Sequence, residues 1–266
     1  MTSPLGLKPD LPVVDITSDA ASLLWQKRTQ VMRMFLPVLL LLAAIDWLSQ
    51  AMYPVVEDAV VFQPSQLIFM LASLFISILM ATACHRFTLL PQDRWHANAL
   101  HGFRRDEWRY LLRSIVIGLV VVLLAISIAG IGIALLGKDA VLLVGVVTAM
   151  LALYVMSRLA ITLPAIALGQ HSPLKQAWEL SRGNGSRLVL VVFLIPMLLG
   201  SPFMLLLVLD SGVGVLSYLA SFGIYITSLI SLVMLSLAYQ FLCDLNDVDA
   251  LQEPAEVTDN DNHFDA

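Results

Sequence analysis

Six long apolar runs, each bounded by polar or charged residues, constrain this chain more than any motif in it. They cover residues 34–53, 67–84, 115–136, 141–163, 188–209 and 215–243. Each supplies the ~20 residues that an α-helix needs to cross about 30 Å of hydrocarbon. The runs are continuous rather than alternating, which excludes a membrane β-barrel. Composition agrees: 59% of residues are hydrophobic, 13% are charged, and the mean hydropathy is +0.84, whereas a soluble domain carries about 25% charged residues. A soluble fold of this length has too little interior to hide so much apolar surface. The expected class is an all-α polytopic membrane helix bundle with six transmembrane helices.

The basic residues set the orientation. Of fifteen Lys and Arg, fourteen fall in the lead and in the second and fourth connections, and only Lys138 falls on the other side. The positive-inside rule makes the crowded side cytoplasmic, so both termini are expected there. A bacterial inner membrane is the expected location.

Three segments follow. Residues 1–33 form a cytoplasmic lead, extended at first through Pro4, Pro9 and Pro12. A surface helix is expected from Ser18, with Ser18 as N-cap, Asp19 in its first turn, and Ala21, Leu24, Val31 and Phe35 near one face. Residues 34–243 form the six-helix domain. The first run is read as an uncleaved anchor, because over thirty residues precede it and Asp46 and Trp47 interrupt it. Residues 244–266 carry eight acidic residues and no Lys or Arg, and are expected to be a disordered acidic tail. Cys84 and Cys243 fall at helix ends on the basic side and read as small apolar fillers.

No motif points to catalysis. The five histidines form no i,i+4 pair, and no HExxH, paired CxxC, GxSxG, P-loop or dinucleotide fingerprint occurs. The reading is therefore no catalytic residue, no metal, no cofactor and no nucleic acid.

The polar residues inside the runs are the first candidates. Asp46 lies about 18 Å along its helix from the inner end, and a charge at such depth costs about 2.5–3.5 kcal/mol on insertion scales. It is either part of a transport route or a neutral or hydrogen-bonded Asp at a helix contact toward the outer half, and its depth argues against pairing with Arg158. Arg158 reads as snorkelling to inner head groups. Ser217, Ser221, Ser228 and Ser231 share one stripe of the last run, and Ala125, Ala129, Gly130 and Ala134 offer a similar small face in the third. Such stripes let helices approach closely, with a polar conduit as the alternative.

The inner connections are the second group. Residues 94–110 mix Arg94, Arg104, Arg105 and Arg109 with Trp95, Phe103, Trp108 and Tyr110, a composition suited to anionic lipid. In the fourth connection Ser172 is expected to cap a short helix with Pro173 at its first position. Gly183 and Gly185 should break that helix. Trp178, Arg182, Gly183, Asn184, Gly185 and Arg187 then form a candidate site for an anionic head group. Arg86-Phe-Thr-Leu-Leu-Pro91 also echoes Arg158-Leu-Ala-Ile-Thr-Leu-Pro164, as a duplicated helix pair would.

The stretch LPAIALGQHSPLKQAWELSRGNGSRL resembles the hallmark of the multi-pass membrane domain found fused to some glycerophosphodiester phosphodiesterases and of related bacterial inner-membrane proteins. Arg158, Pro164, Ala177, Trp178, Leu180, Arg182, Gly183 and Arg187 carry the resemblance, and the soluble phosphodiesterase domain has no counterpart. It implies the membrane module without the enzyme. Two readings stay open: a non-catalytic module contacting lipids, anionic ones among them, or a partner protein; and a transporter or permease for a small solute or lipid-like substrate. A wet cavity converging on Asp46 favours transport, and a dry bundle with small-residue contacts favours the module.

Overall fold

A computed structural model describes residues 10–53, 63–96, 98–209, 214–246 and 248. Most of the acidic tail, the first nine residues and the acidic loop with Glu57 and Asp58 lie outside the described residues. Among the described residues every regular element is helical. Six segments are long and apolar enough to cross a bilayer: Arg28–Met52, Gln66–Leu89, Arg105–Leu136, Lys138–Ala167, Gly185–Leu207 and Val215–Leu245. The six-helix bundle expected from the sequence is therefore present. Most of the helices extend past the apolar runs at the end where the Arg residues cluster, called the basic end here.

The lead folds differently from its expected form. Helix α1 is Val13–Gln26, and Pro12, not Ser18, precedes it. Asp15 occupies its first turn, and Thr17 donates to Val13 O at 2.8 Å instead of any serine capping the helix. Ile16 and Ala20 are its buried residues, whereas Ala21 is exposed. The chain breaks at Lys27, so Val31 and Phe35 belong to the next helix, α2 (Arg28–Met52). The break lets α1 fold back against the last helix, α10 (Val215–Leu245).

Helix α10 is the hub. It packs on α1, α2, α3 (Gln66–Leu89) and α9 (Ile195–Leu209). Its closest approach is at a residue outside the expected serine stripe: Gly223 faces the Phe203 ring so closely that a Cβ would overlap it. Cys84 and Cys243 are both buried in this packing.

Helices α4 (Arg105–Leu136) and α5 (Val141–Ala160) form a hairpin beside this core. Its tight point is Gly132, where a Cβ would lie 2.7 Å from Val144. Gly130 instead faces open space, so it takes no part in this close approach. The most apolar stretch of α4 buries none of its residues within the chain; apolar side chains are at home against lipid tails, so this face needs no protein cover.

Short helices α6 (Thr162–Ala167), α7 (Leu174–Leu180) and α8 (Gly185–Val189) follow at the basic end. Pro164 starts the break between α5 and α6, because it has no N–H for Ala160 O. A π-helical turn, Leu190–Leu194, joins α8 to α9. Prolines shape α9 too. Pro196 leaves Val192 O without its helical donor, and Ser231 donates to that oxygen at 3.3 Å. Pro202 does the same to Leu198 O, which Ser201 satisfies at 2.8 Å.

Candidate functional site

At the basic end the fourth connection does not form an open anion site. Pro173 itself is the residue preceding α7, and Ser172 is buried one position earlier without capping it. Of the two glycines only Gly183 turns the chain, with φ 86°. Gly185 is helical, and its missing side chain serves packing: a Cβ there would lie 2.6 Å from the Tyr154 ring. Leu11 N–H donates to Asn184 Oδ1 at 2.7 Å, and Arg187 donates to Leu11 O at 3.0 Å and to Asp10 Oδ2 at 2.6 Å. The carboxylate and backbone of the lead thus occupy the groups expected to hold a head group. Arg182 is exposed and takes no part in this contact.

Arg158 does not snorkel. It is 6% exposed, its Nε donates to Ser181 Oγ at 2.8 Å, and its Nη2 donates to Trp178 O. Its guanidinium lies 3.6 Å from the centre of the Trp178 ring. The arginine therefore turns inward and satisfies the last turn of α7, where carbonyls lack helical partners. Trp178 is itself 41% exposed, as an interface residue should be.

Arg86, the other member of the sequence echo, does the corresponding thing. Its Nε donates to Ala167 O, the end of α6, at 2.7 Å. Its Nη1 also meets Glu107 Oε1 at 2.7 Å, and its Nη2 meets Asp106 Oδ2 at 3.4 Å. Glu107 is wholly buried, and its other oxygen accepts Arg104 N–H at 3.0 Å, fixing the start of α4. Arg109 pairs with Asp106 at 3.7 Å, while Arg104 and Arg105 stay exposed. Of the aromatic residues in this segment Tyr110 is buried rather than interfacial, and Trp108 packs edge-on to Phe103 and Phe75.

His101 Nε2 lies 3.4 Å from Glu107, and its Nδ1 is buried without a partner among the described residues. Burial holds the His101 pKa below the ordinary histidine value, Glu107 opposing and His96, Arg86 and Arg104 reinforcing the shift. The folded protein then binds fewer protons than the unfolded chain once pH falls below the unfolded value near 6.5. Stability should be fully present above pH 6.5 and decline as pH falls beneath it. Thermal unfolding in neutral detergent at pH 7.5 and 5.5 checks this: His101→Gln should show a smaller loss of Tm than the parent.

Deeper in the bundle His85 is fully buried between Ser236 and Tyr110. Ser236 gives its own proton to Leu232 O, so His85 Nδ1–H donates to Ser236 and Nε2 accepts from Tyr110. Tyr110 of α4 forms one wall of a cavity of about 580 Å³ whose other walls come from α3, α9 and α10. Its lining is mostly apolar, with Ile78, Ala81, Pro196 and Leu232 among the walls. Met197, also in the lining, is 74% exposed, so the cavity opens sideways toward hydrocarbon. Ser228 and Ser231 reach it, but Ser228 donates to Ile224 O at 3.0 Å and Ser231 to Val192 O. Ser217 and Ser221 are buried elsewhere along α10. The serine stripe is therefore not a continuous polar lining.

Asp46 sits behind this cavity. Tyr225, one of its lining residues, donates to Asp46 Oδ2 at 2.6 Å, and Ser73 donates to Oδ1 at 3.4 Å. Arg158 is not among its partners, as depth alone implied. Asp46 is thus a hydrogen-bonded residue at the contact of α2, α3 and α10.

Several of these groups escape a sequence reading. Glu107 is an acid three residues after Arg104 in an otherwise basic segment, a signal that could have marked a capping carboxylate. Tyr225, His85 and Asp10 carry no local signal, because their partners are far away in sequence. No family model, curated protein or solved structure matches the chain.

Proposed function

We propose that this is a non-catalytic multi-pass membrane module that takes a hydrocarbon chain from the surrounding bilayer into the cleft between α3, α9 and α10. It sits in a bacterial inner membrane with its basic end in the cytoplasm. The observation that carries the reading is the cleft itself: about 580 Å³, apolar in most of its lining, open toward lipid past Met197 and Met204. Its volume falls in the ~300–1,000 Å³ range of small-ligand sites. Ser201, Thr227, Ser228 and Ser231 spend their protons on backbone carbonyls, which leaves the wall suited to methylenes. Flexible methionines at the mouth can adjust to a chain of varied shape. Exposed Arg94, Arg104, Arg105 and Arg182 add contacts to anionic head groups, at about 1 kcal/mol each near the surface.

Native mass spectrometry of protein purified from the same membranes tests the reading. The parent should retain a bound lipid that Ser228→Phe, which fills the cleft, loses while remaining monodisperse. Equal lipid retention by the two proteins would end the proposal. A permease reading has one observation in its favour: Tyr225 places the Asp46 carboxylate one side chain behind the cleft wall.

A further inference from the structure

We infer that the cleft is built for an amphipathic cation, a long-chain alkylammonium in its simplest form, with the charged head on the Tyr225 ring in front of Asp46. The inference rests on the reading that the cleft accepts a hydrocarbon chain, and adds the chemistry of the head that the chain carries.

The first ground is an acidic side chain without a basic partner. Asp46 lies within a membrane-spanning helix, and its described partners are two hydroxyls, Tyr225 at 2.6 Å and Ser73 at 3.4 Å. Among the described residues no Lys, Arg or His lies within ion-pair distance of it. A carboxylate offers about four lone-pair positions, so two hydroxyls leave half of its accepting capacity unused. Ionisable groups at such depth ordinarily face a partner or a pathway.

The second ground is the position of the hydroxyl donor. Tyr225 is one of the residues lining the cleft, and its hydroxyl donates to Asp46. A phenol that donates to a carboxylate gains electron density in its ring, which strengthens the attraction of the ring face for a cation. The Asp46 charge adds to this through low-dielectric surroundings, where Coulomb attraction is weakly screened. Ser77 lies one helical turn from Ser73 on the same face of α3 and also lines the cleft. Ser77 and Tyr225 are therefore the lining residues nearest the Asp46 contact, while Ile78, Ala81, Pro196 and Leu232 contribute methylene-compatible wall. The combination selects a cation with a tail. An anionic head meets the Asp46 charge and is repelled, and a neutral head gains nothing from it.

Equilibrium binding of three radiolabelled probes to the full chain in neutral detergent tests this: tetradecyltrimethylammonium, tetradecanol and tetradecyl sulfate. The parent should bind the cation at least about tenfold more tightly than the alcohol, and the sulfate more weakly than the alcohol. Asp46→Asn should bring the cation to the alcohol's affinity and leave the alcohol unchanged. Asp46→Glu should keep the preference for the cation. Equal binding of cation and alcohol by the parent overturns the proposal while leaving the cleft reading intact. A cation preference that survives Asp46→Asn overturns it as well. Ser228→Phe should lose all three probes; an alcohol that binds parent and Ser228→Phe alike refutes the cleft reading instead. The comparison of the three probes on the parent needs no variant, so a poorly folding Asp46→Asn protein would not shield the proposal.

Discussion

Arg86→Met should cost the protein about 3–5 kcal/mol of folding stability, the typical penalty for stranding one member of a buried ion pair. The stranded group is Glu107, which is wholly buried and receives the Arg86 guanidinium at 2.7 Å. Arg104 N–H would remain as one donor to its carboxylate, too little to replace a full charge. The end of α6 would lose a donor at the same time, because Arg86 Nε bonds Ala167 O. The opposite change should be milder. Glu107→Leu leaves Arg86 with Asp106 and with Ala167 O, and Asp106 is a third exposed to water. The double variant Arg86→Met with Glu107→Leu should regain most of the loss, since a buried pair replaced by apolar residues of similar size is often neutral. Unfolding in mixed micelles, followed by far-UV circular dichroism, gives the three values. A double variant as unstable as Arg86→Met would show that the charge pair is not the source of the effect.

The bundle was legible because burial in lipid leaves a length signal: about 20 apolar residues per crossing, whatever their order. The helix ends were not legible to the same degree. Apolar runs stop where lipid stops, but a helix continues as long as its backbone is bonded, so α4 begins at Arg105, ten residues before its apolar run. The lead shows the same limit. A serine followed by an acid is a sound capping signal, yet α1 starts at Val13, because docking of Ile16 and Ala20 on the bundle outweighs a local cap. The candidate site was legible by residue type and not by partner. By residue type Trp178, Asn184 and Arg187 read as head-group ligands, and the structure gives two of them to Asp10 and Leu11, more than 170 residues away. A carboxylate of the chain itself answers the same chemistry as a phosphate, and sequence spacing carries no information about which arrives. Asp46 was marked by its cost, and its cost is what the Tyr225 and Ser73 hydroxyls reduce.

Arg158 carries the last large effect. Arg158→Ala should loosen α7 from α5, and Arg158→Lys should fall between the parent and Ala even though it keeps the charge. The guanidinium spans two acceptors at once, Ser181 Oγ and Trp178 O, and lies over the Trp178 ring, 3.6 Å from its centre. A lysine ammonium is a point donor on a flexible stem; it reaches one acceptor and stacks poorly. Hydrogen bonds from a charged group contribute about 1.5–3 kcal/mol each. Losing the pair, with Ser181 still bonded to Ala177 O, should lower the local opening free energy by about 2–3 kcal/mol, or roughly 30- to 150-fold in the opening equilibrium. Arg182 is exposed at the end of α7 and is followed by the turn at Gly183, so trypsin reads that opening directly. Cleavage after Arg182 should accelerate by roughly that factor in Arg158→Ala and by a smaller one in Arg158→Lys. If Arg158 served only to place positive charge at the inner interface, lysine would serve as well, and the Lys variant would be cut at the parent's rate.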